Sequence, residues 1–262
     1  MRQDRPLRIA IAVALVAAVD VLALLAAMAL PIPRDGFLPP AFATHTAMLV
    51  LSVALMGLLA KGRLGRFGVT RGTYRFRPRI LLWVLPTAIL SVAATLAAPE
   101  GAPESGPAEL SKVQTVLFVW IYASVSEEVL TRGLLLTLLA ASARVDAPAR
   151  RRRGWAGIDE PASPMFSGVS PDGAAARSRA ILARSLRMPV LVSGLFFGAM
   201  HLVLVPSMGP AALFVVVLAT LLGLLAGHCR ERTGSHVPAI LVHALFNIGG
   251  SVPMWVIEGW RA

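Results

Sequence analysis

Two adjacent glutamates, Glu127 and Glu128, stand in the middle of an apolar run from Val113 to Ala141. One ionisable side chain at the centre of a bilayer-spanning helix costs about 2.5–3.5 kcal/mol, so a neighbouring pair needs water, partners or a reaction to hold it there. Arg132 follows Glu128 by four residues on the same helical face, and the two read as an ion pair. Glu127 is rotated by about 100° from Glu128 and points to a different neighbour. Two further apolar runs carry Phe197 with His201 and His243 with Asn247, each pair four residues apart and on one face; small Gly194, Gly198 and Ala199 in the first of them permit close helix approach. A lone intramembrane histidine is more often a hydrogen-bonded structural residue. Two of them beside a glutamate pair and an asparagine supply a base, a proton partner and hydrogen-bond donors, the parts needed for water attack on a carbonyl.

Helices must position these groups. The chain has 262 residues, 56% of them hydrophobic and 15% charged, a balance that marks an integral membrane protein. Runs able to cross about 30 Å of hydrocarbon as helices fall at about Leu7–Leu30, Ala41–Ala60, Ile80–Ala98, Val113–Ala141, Met188–Val205, Ala211–Cys229 and Val237–Ile257. They are too long and continuous for barrel strands, so the expected fold is all-α, a polytopic transmembrane helical bundle of about seven spans. Basic residues gather on alternate sides: Arg2, Arg5 and Arg8, then Lys61 to Arg79, then Arg144 to Arg187, then Arg230 and Arg232. The opposite loops hold only Arg34, Lys112 and Arg261. A cytoplasmic N-terminus follows from that asymmetry.

The net charge of +11 would suggest nucleic acid in a soluble protein. Here the charge lies in loops that face anionic lipid, so the bilayer is the expected partner and nucleic acid is not. The single cysteine, Cys229, excludes an intramolecular disulfide and a cysteine-based metal cluster. The first apolar run is too long for a signal-peptide core and carries Asp20, so it is read as an uncleaved span. Residues 142–187, rich in Arg, Pro, Gly and Ser, read as a basic cytoplasmic loop, with an amphipathic end at Gly173–Leu186 and a docking site for a cytoplasmic partner as its functional alternative. The expected division is residues 1–112 for the first three helices and 113–262 for the catalytic core. Asp20 and His45 belong to no motif and are assigned structural roles.

In order, Glu-Glu-x-x-x-Arg, Phe-x-x-x-His and His-x-x-x-Asn, each in its own apolar run, resemble the CPBP family of intramembrane proteases. That family includes type II CAAX prenyl proteases and bacteriocin-processing or self-immunity proteins. The resemblance covers about Val113 to Val256; the first three runs share only hydrophobicity, and the basic insertion between the first two motifs is not part of the family pattern. It implies an endopeptidase of the cell (inner) membrane that hydrolyses a peptide bond in a membrane-associated protein or peptide, processing a C-terminal tail or a prepeptide. In that scheme Glu127 and His201 hold and deprotonate a water, and His243 and Asn247 stabilise the tetrahedral oxyanion. Glu128 with Arg132 forms the supporting pair, and Phe197 packs the site wall.

No cofactor is expected. Zinc is the rival, since Glu127, Glu128, His201 and His243 are acceptable ligands, but there is no His-Glu-x-x-His helix and Arg132 competes with a cation for Glu128. A transporter is the alternative of another class, yet no repeat symmetry is evident. An idle scaffold would not need every reactive position filled. Helix arithmetic leaves one strain. At about 1.5 Å per residue, Glu127 and His201 come out level, roughly 20 Å above the cytoplasmic helix ends, and His243 only about 10 Å. Either the last span begins deeper than Val237 or tilt closes the gap.

Overall fold

The computed structural model describes residues 4–30, 32, 36–70, 72–73, 75, 78–97, 110–145 and 187–261. Helices dominate these residues: α1 (Asp4–Ala29), α2 (Ala41–Ala60), α3 (Val84–Ala97), α4 (112–145), α5 (Met188–Met208), α6 (Ala211–Thr233) and α7 (Val237–Arg261). Six of them, all but α3, are long and apolar enough to cross a membrane by length and composition, and the chain is a multi-pass membrane protein. The third expected span is shorter as an apolar helix, Ile80–Ala93. A 3₁₀ stretch, Pro78–Trp83, runs directly into α3. At about 2 Å per residue for 3₁₀ and about 1.5 Å for α, the two together rise about 30 Å, a bilayer thickness. Most of the basic loop, with its amphipathic end, lies outside the described residues. Its first residues instead continue α4 to Val145, and Arg187 pairs with Glu231 at 2.9 Å.

One buried face of α1, Ala12, Val16, Val19 and Ala23, repeats at helical spacing and packs with Met48, Met56 and Ala60 of α2 and Leu130, Leu134, Leu135 and Leu139 of α4. Large apolar side chains on the outer faces, among them Leu25, Met28, Leu58, Ile89, Phe214 and Leu221, are exposed. Lipid tails accept them without penalty. With no hydrophobic gain from helix association in lipid, close backbone approach has to hold the bundle. The contact of α5 with α6 is of that kind, as the small residues of α5 predict. A Cβ on Gly198 would run into Thr220 and come within 3.0 Å of the Val216 carbonyl, and one on Gly223 would come within 2.9 Å of Gly194 Cα. On the other side of the bundle α3 lies against α7, where the Ser91 hydroxyl donates to the Gly250 carbonyl at 2.8 Å.

The helix that carries the glutamates is not a regular α-helix. Thr115–Ala123 and Val129–Leu135 are π-helical, and the short α segment Ser124–Glu128 lies between them. Such i→i+5 turns are uncommon and concentrate at functional sites. Both acids therefore sit where the backbone departs from standard winding on either side.

Candidate active site

Glu128 and Arg132 are fully buried, and the expected pair forms: Arg132 Nε stands 3.3 Å from Glu128 Oε2. The guanidinium also donates to the Thr131 hydroxyl and lies over the Phe197 ring, 4.5 Å from its centroid. Arginine suits this place because its flat, weakly hydrated cation stacks on an aromatic face while a carboxylate takes its charge. The other oxygen of Glu128 is held from α7, with His243 Nδ1 at 3.1 Å from Oε1. An ionised carboxylate only accepts, so Nδ1 carries the hydrogen and Nε2 is left as the second ring atom for other work. Glu128 is thus engaged at both oxygens.

Glu127 is not. Its side chain is 14% exposed, its Oε1 is 3.9 Å from His45 Nδ1, and its Oε2 is 3.9 Å from His243 Nε2. Oε2 is buried and makes no hydrogen bond. Oε2 of Glu128 likewise makes no hydrogen bond but has the Arg132 cation 3.3 Å away, so the two adjacent acids divide into one paired with a cation and one with an oxygen facing an imidazole across a gap. Helix rotation makes the difference, since one step of α-helix brings Glu127 within reach of His45 on α2 while its other oxygen still faces His243 of α7.

His243 itself is 4% exposed, packed edge-on against Phe197 with ring centroids 5.4 Å apart. The depth mismatch read from the sequence has a physical cause. Ser235 and His236 are buried, so α7 already begins inside the bundle. His201 stands where α5 tightens into 3₁₀ at His201–Leu204. Its Nδ1 donates to the Phe197 carbonyl at 2.9 Å, which leaves Nε2 as the acceptor of the neutral ring. Its ring meets the edge of Phe197 at 5.0 Å, so Phe197 is the shared wall for Arg132, His201 and His243. Among the described residues no hydrogen bond or ion pair joins His201 to Glu127. Asn247 donates from Nδ2 to the Val119 carbonyl at 2.9 Å and to Ser124 Oγ at 3.1 Å. Both amide hydrogens brace α4 just before the glutamates.

A cavity of about 500 Å³ follows α4 from Lys112 past Thr115 to Val119 and is walled by α3, α5, α6 and α7. His201, His243 and Asn247 line it, among mainly apolar neighbours. It has the usual character of a binding site, concave and apolar with a few convergent polar groups. Among the described residues no three His, Cys, Asp or Glu side chains converge at metal-ligating spacing.

Two residues given structural roles on sequence grounds lie at the glutamates. His45 is one. Asp20 of α1 is the other, within electrostatic reach of both Glu127 and His201. Each carried a signal, a polar group inside an apolar run, but no spacing tied it to a motif.

A family model described as Type II CAAX prenyl endopeptidase Rce1-like matches residues 109–249, a stretch that holds all three motifs. No curated protein and no solved structure matches the chain.

Proposed function

From the premise that the chain belongs to the Rce1-like family of type II CAAX prenyl endopeptidases, a peptidase family, we propose that Glu127 activates the water with which it hydrolyses a peptide bond. One observation carries this reading. Glu127 Oε2 is buried without a hydrogen bond and faces His243 Nε2 across 3.9 Å. With Nδ1 of His243 protonated toward Glu128, both facing atoms are acceptors, and one water donating a hydrogen to each spans the gap. Such a water turns its lone pairs outward. Attack on the carbonyl carbon forms the C–O bond as Glu127 takes the proton, and the same carboxyl then protonates the departing amine when the C–N bond breaks.

His243 thereby shares in holding the water, the part that the resemblance assigns to His201. Asn247, on the cavity wall, is the candidate for the developing oxyanion; His201 joins it only with Nε2 protonated, since the neutral ring bonded to Phe197 presents an acceptor there. Asn247 joins that task only by exchanging one of its two present acceptors, and the Ser124 contact is the longer. Glu128, Arg132 and Phe197 hold His243 in its tautomer and orientation. The largely apolar cavity suits a short apolar segment of a membrane-associated protein or peptide, a C-terminal tail or a prepeptide, and the protein works in the cell membrane.

The experiment compares membrane proteomes of cells carrying the active protein with those carrying Glu127→Gln, searching for new termini near membrane spans. Termini present with the first and lost with the second are the expected result. Termini that persist with Glu127→Gln would refute the glutamate mechanism, and an absence of any difference from cells without the protein would count against peptide hydrolysis.

A further inference from the structure

The residues matched to the family begin at 109, yet the group set against Oε1 of Glu127 comes from α2. His45 Nδ1 is 3.9 Å from Glu127 Oε1 and 3.0 Å from Ser126 Oγ. The Ser126 hydroxyl gives its one hydrogen to the Ala123 carbonyl at 3.1 Å, so toward His45 it accepts, and Nδ1 carries the ring hydrogen. The next residue of α2 repeats the device one turn earlier on α4. Thr46 donates to the Phe42 carbonyl at 2.7 Å and accepts from the Tyr122 hydroxyl at 2.8 Å. Consecutive residues of α2 thus grip α4 at Tyr122 and Ser126, immediately before the glutamates and at the end of the first π-helical stretch.

We propose that His45 is a positioning residue for Glu127. Anchored on Ser126 and set against one oxygen, it limits the rotation of the carboxylate so that the other oxygen stays turned toward His243. The N-terminal helices then do more than complete the bundle, because they set the rotation of the reactive side chain. Titratable or charged groups face Glu127 from several elements: Asp20 on α1, His45 on α2, Glu128 and Arg132 on α4 and His243 on α7, with His201 on α5 in turn within electrostatic reach of Asp20. His45 is the one of these that also bonds the residue preceding Glu127.

The inference rests on the Glu127 reading, and the test separates the two. The chain in detergent micelles is assayed on a membrane protein whose new terminus appears only in cells that carry the active protein. A misplacement of the order of 1 Å costs about 10²-fold in rate. His45→Leu is therefore expected to lower kcat by about 10- to 100-fold while KM moves by no more than about twofold. His45→Asn, whose amide nitrogen replaces Nδ1, restores most of the rate. Ser126→Ala, which removes the anchor without touching His45, lowers kcat in the same sense by a smaller factor. A folded His45→Leu with full kcat, a loss confined to KM, or a His45→Asn as impaired as His45→Leu would overturn the proposal. Glu127→Gln, run beside them, decides which reading has failed. If it is active the general-base assignment falls, and if it is dead beside a fully active His45→Leu only the role of His45 falls.

Discussion

Replacing Arg132 by methionine tests the central electrostatic argument. The side chain is among the largest fully buried ones in the protein, and its cation is the close counter-charge of Glu128, 3.3 Å away and equally buried. Arg132→Met keeps much of the volume and leaves Glu128 with only the His243 contact. Breaking a buried pair from one side costs about 3–5 kcal/mol, because the remaining charge stays out of water. The lost stacking over Phe197 adds about 1–2 kcal/mol at a desolvated site. At about 2–4 °C per kcal/mol for a chain of this size, thermal unfolding in micelles, followed by tryptophan fluorescence, is expected to drop by on the order of 10 °C. The double variant Arg132→Met, Glu128→Leu removes both charges and recovers most of that loss, since apolar replacement of a buried pair is often neutral or stabilising. It does not recover activity, because His243 Nδ1 then has no carboxylate to hold it. A single variant that melts within about 2 °C of the parent, or a double variant no more stable than the single, would refute the view that Arg132 is what keeps Glu128 charged inside the bundle.

Three further outcomes are expected. His236, buried at the start of α7, has its pKa lowered to about 4, first by burial and then by the charge of Arg230. Between about pH 6.5 and 4 the unfolded state binds a proton that the folded state refuses, so stability is full above that window and falls through it by on the order of 3 kcal/mol. Unfolding measured from pH 7 to 4 should show the fall, and His236→Gln should flatten it; an unchanged pH dependence in that variant counts against the assignment. Gly198→Ala forces a methyl against Thr220 and the Val216 carbonyl, an overpacking worth about 1–3 kcal/mol. Thr220→Ala should relieve only part of it, and a neutral Gly198→Ala would mean that α5 and α6 separate easily. Cleavage should survive exposure to a zinc chelator. Stoichiometric zinc in an active preparation, with activity lost on chelation and restored by zinc, would replace the glutamate mechanism by a metal one.

What could be read from the sequence was what leaves a local trace. Six of the seven apolar runs have the length and composition of a crossing, and the pair at Glu128 and Arg132 forms because four residues make one turn wherever the chain is helical. Gly194 and Gly198 marked a face of α5 that lets a neighbour come close, and the packing of the bundle makes that neighbour α6. The π-helical stretches of α4 had no such trace, because an i→i+5 bond needs no particular side chain. Nor did the start of α7 inside the bundle, because Ser235 and His236 are too polar to extend an apolar run, although both are buried. The position of His45 and Asp20 was hidden differently. Each was visible as an isolated cost in an apolar helix, but what offsets that cost depends on which helices meet. The stripe Ala12, Val16, Val19 and Ala23 draws α1 onto α2 and α4, and Asp20, one residue past Val19, arrives at the edge of the same contact. A polar residue is tolerated in a membrane helix where others have already excluded lipid, so the isolated ones gather at the site that the motifs build. An unexplained charge in one span is therefore informative about another, and that logic, more than any spacing, assigns His45 to Glu127.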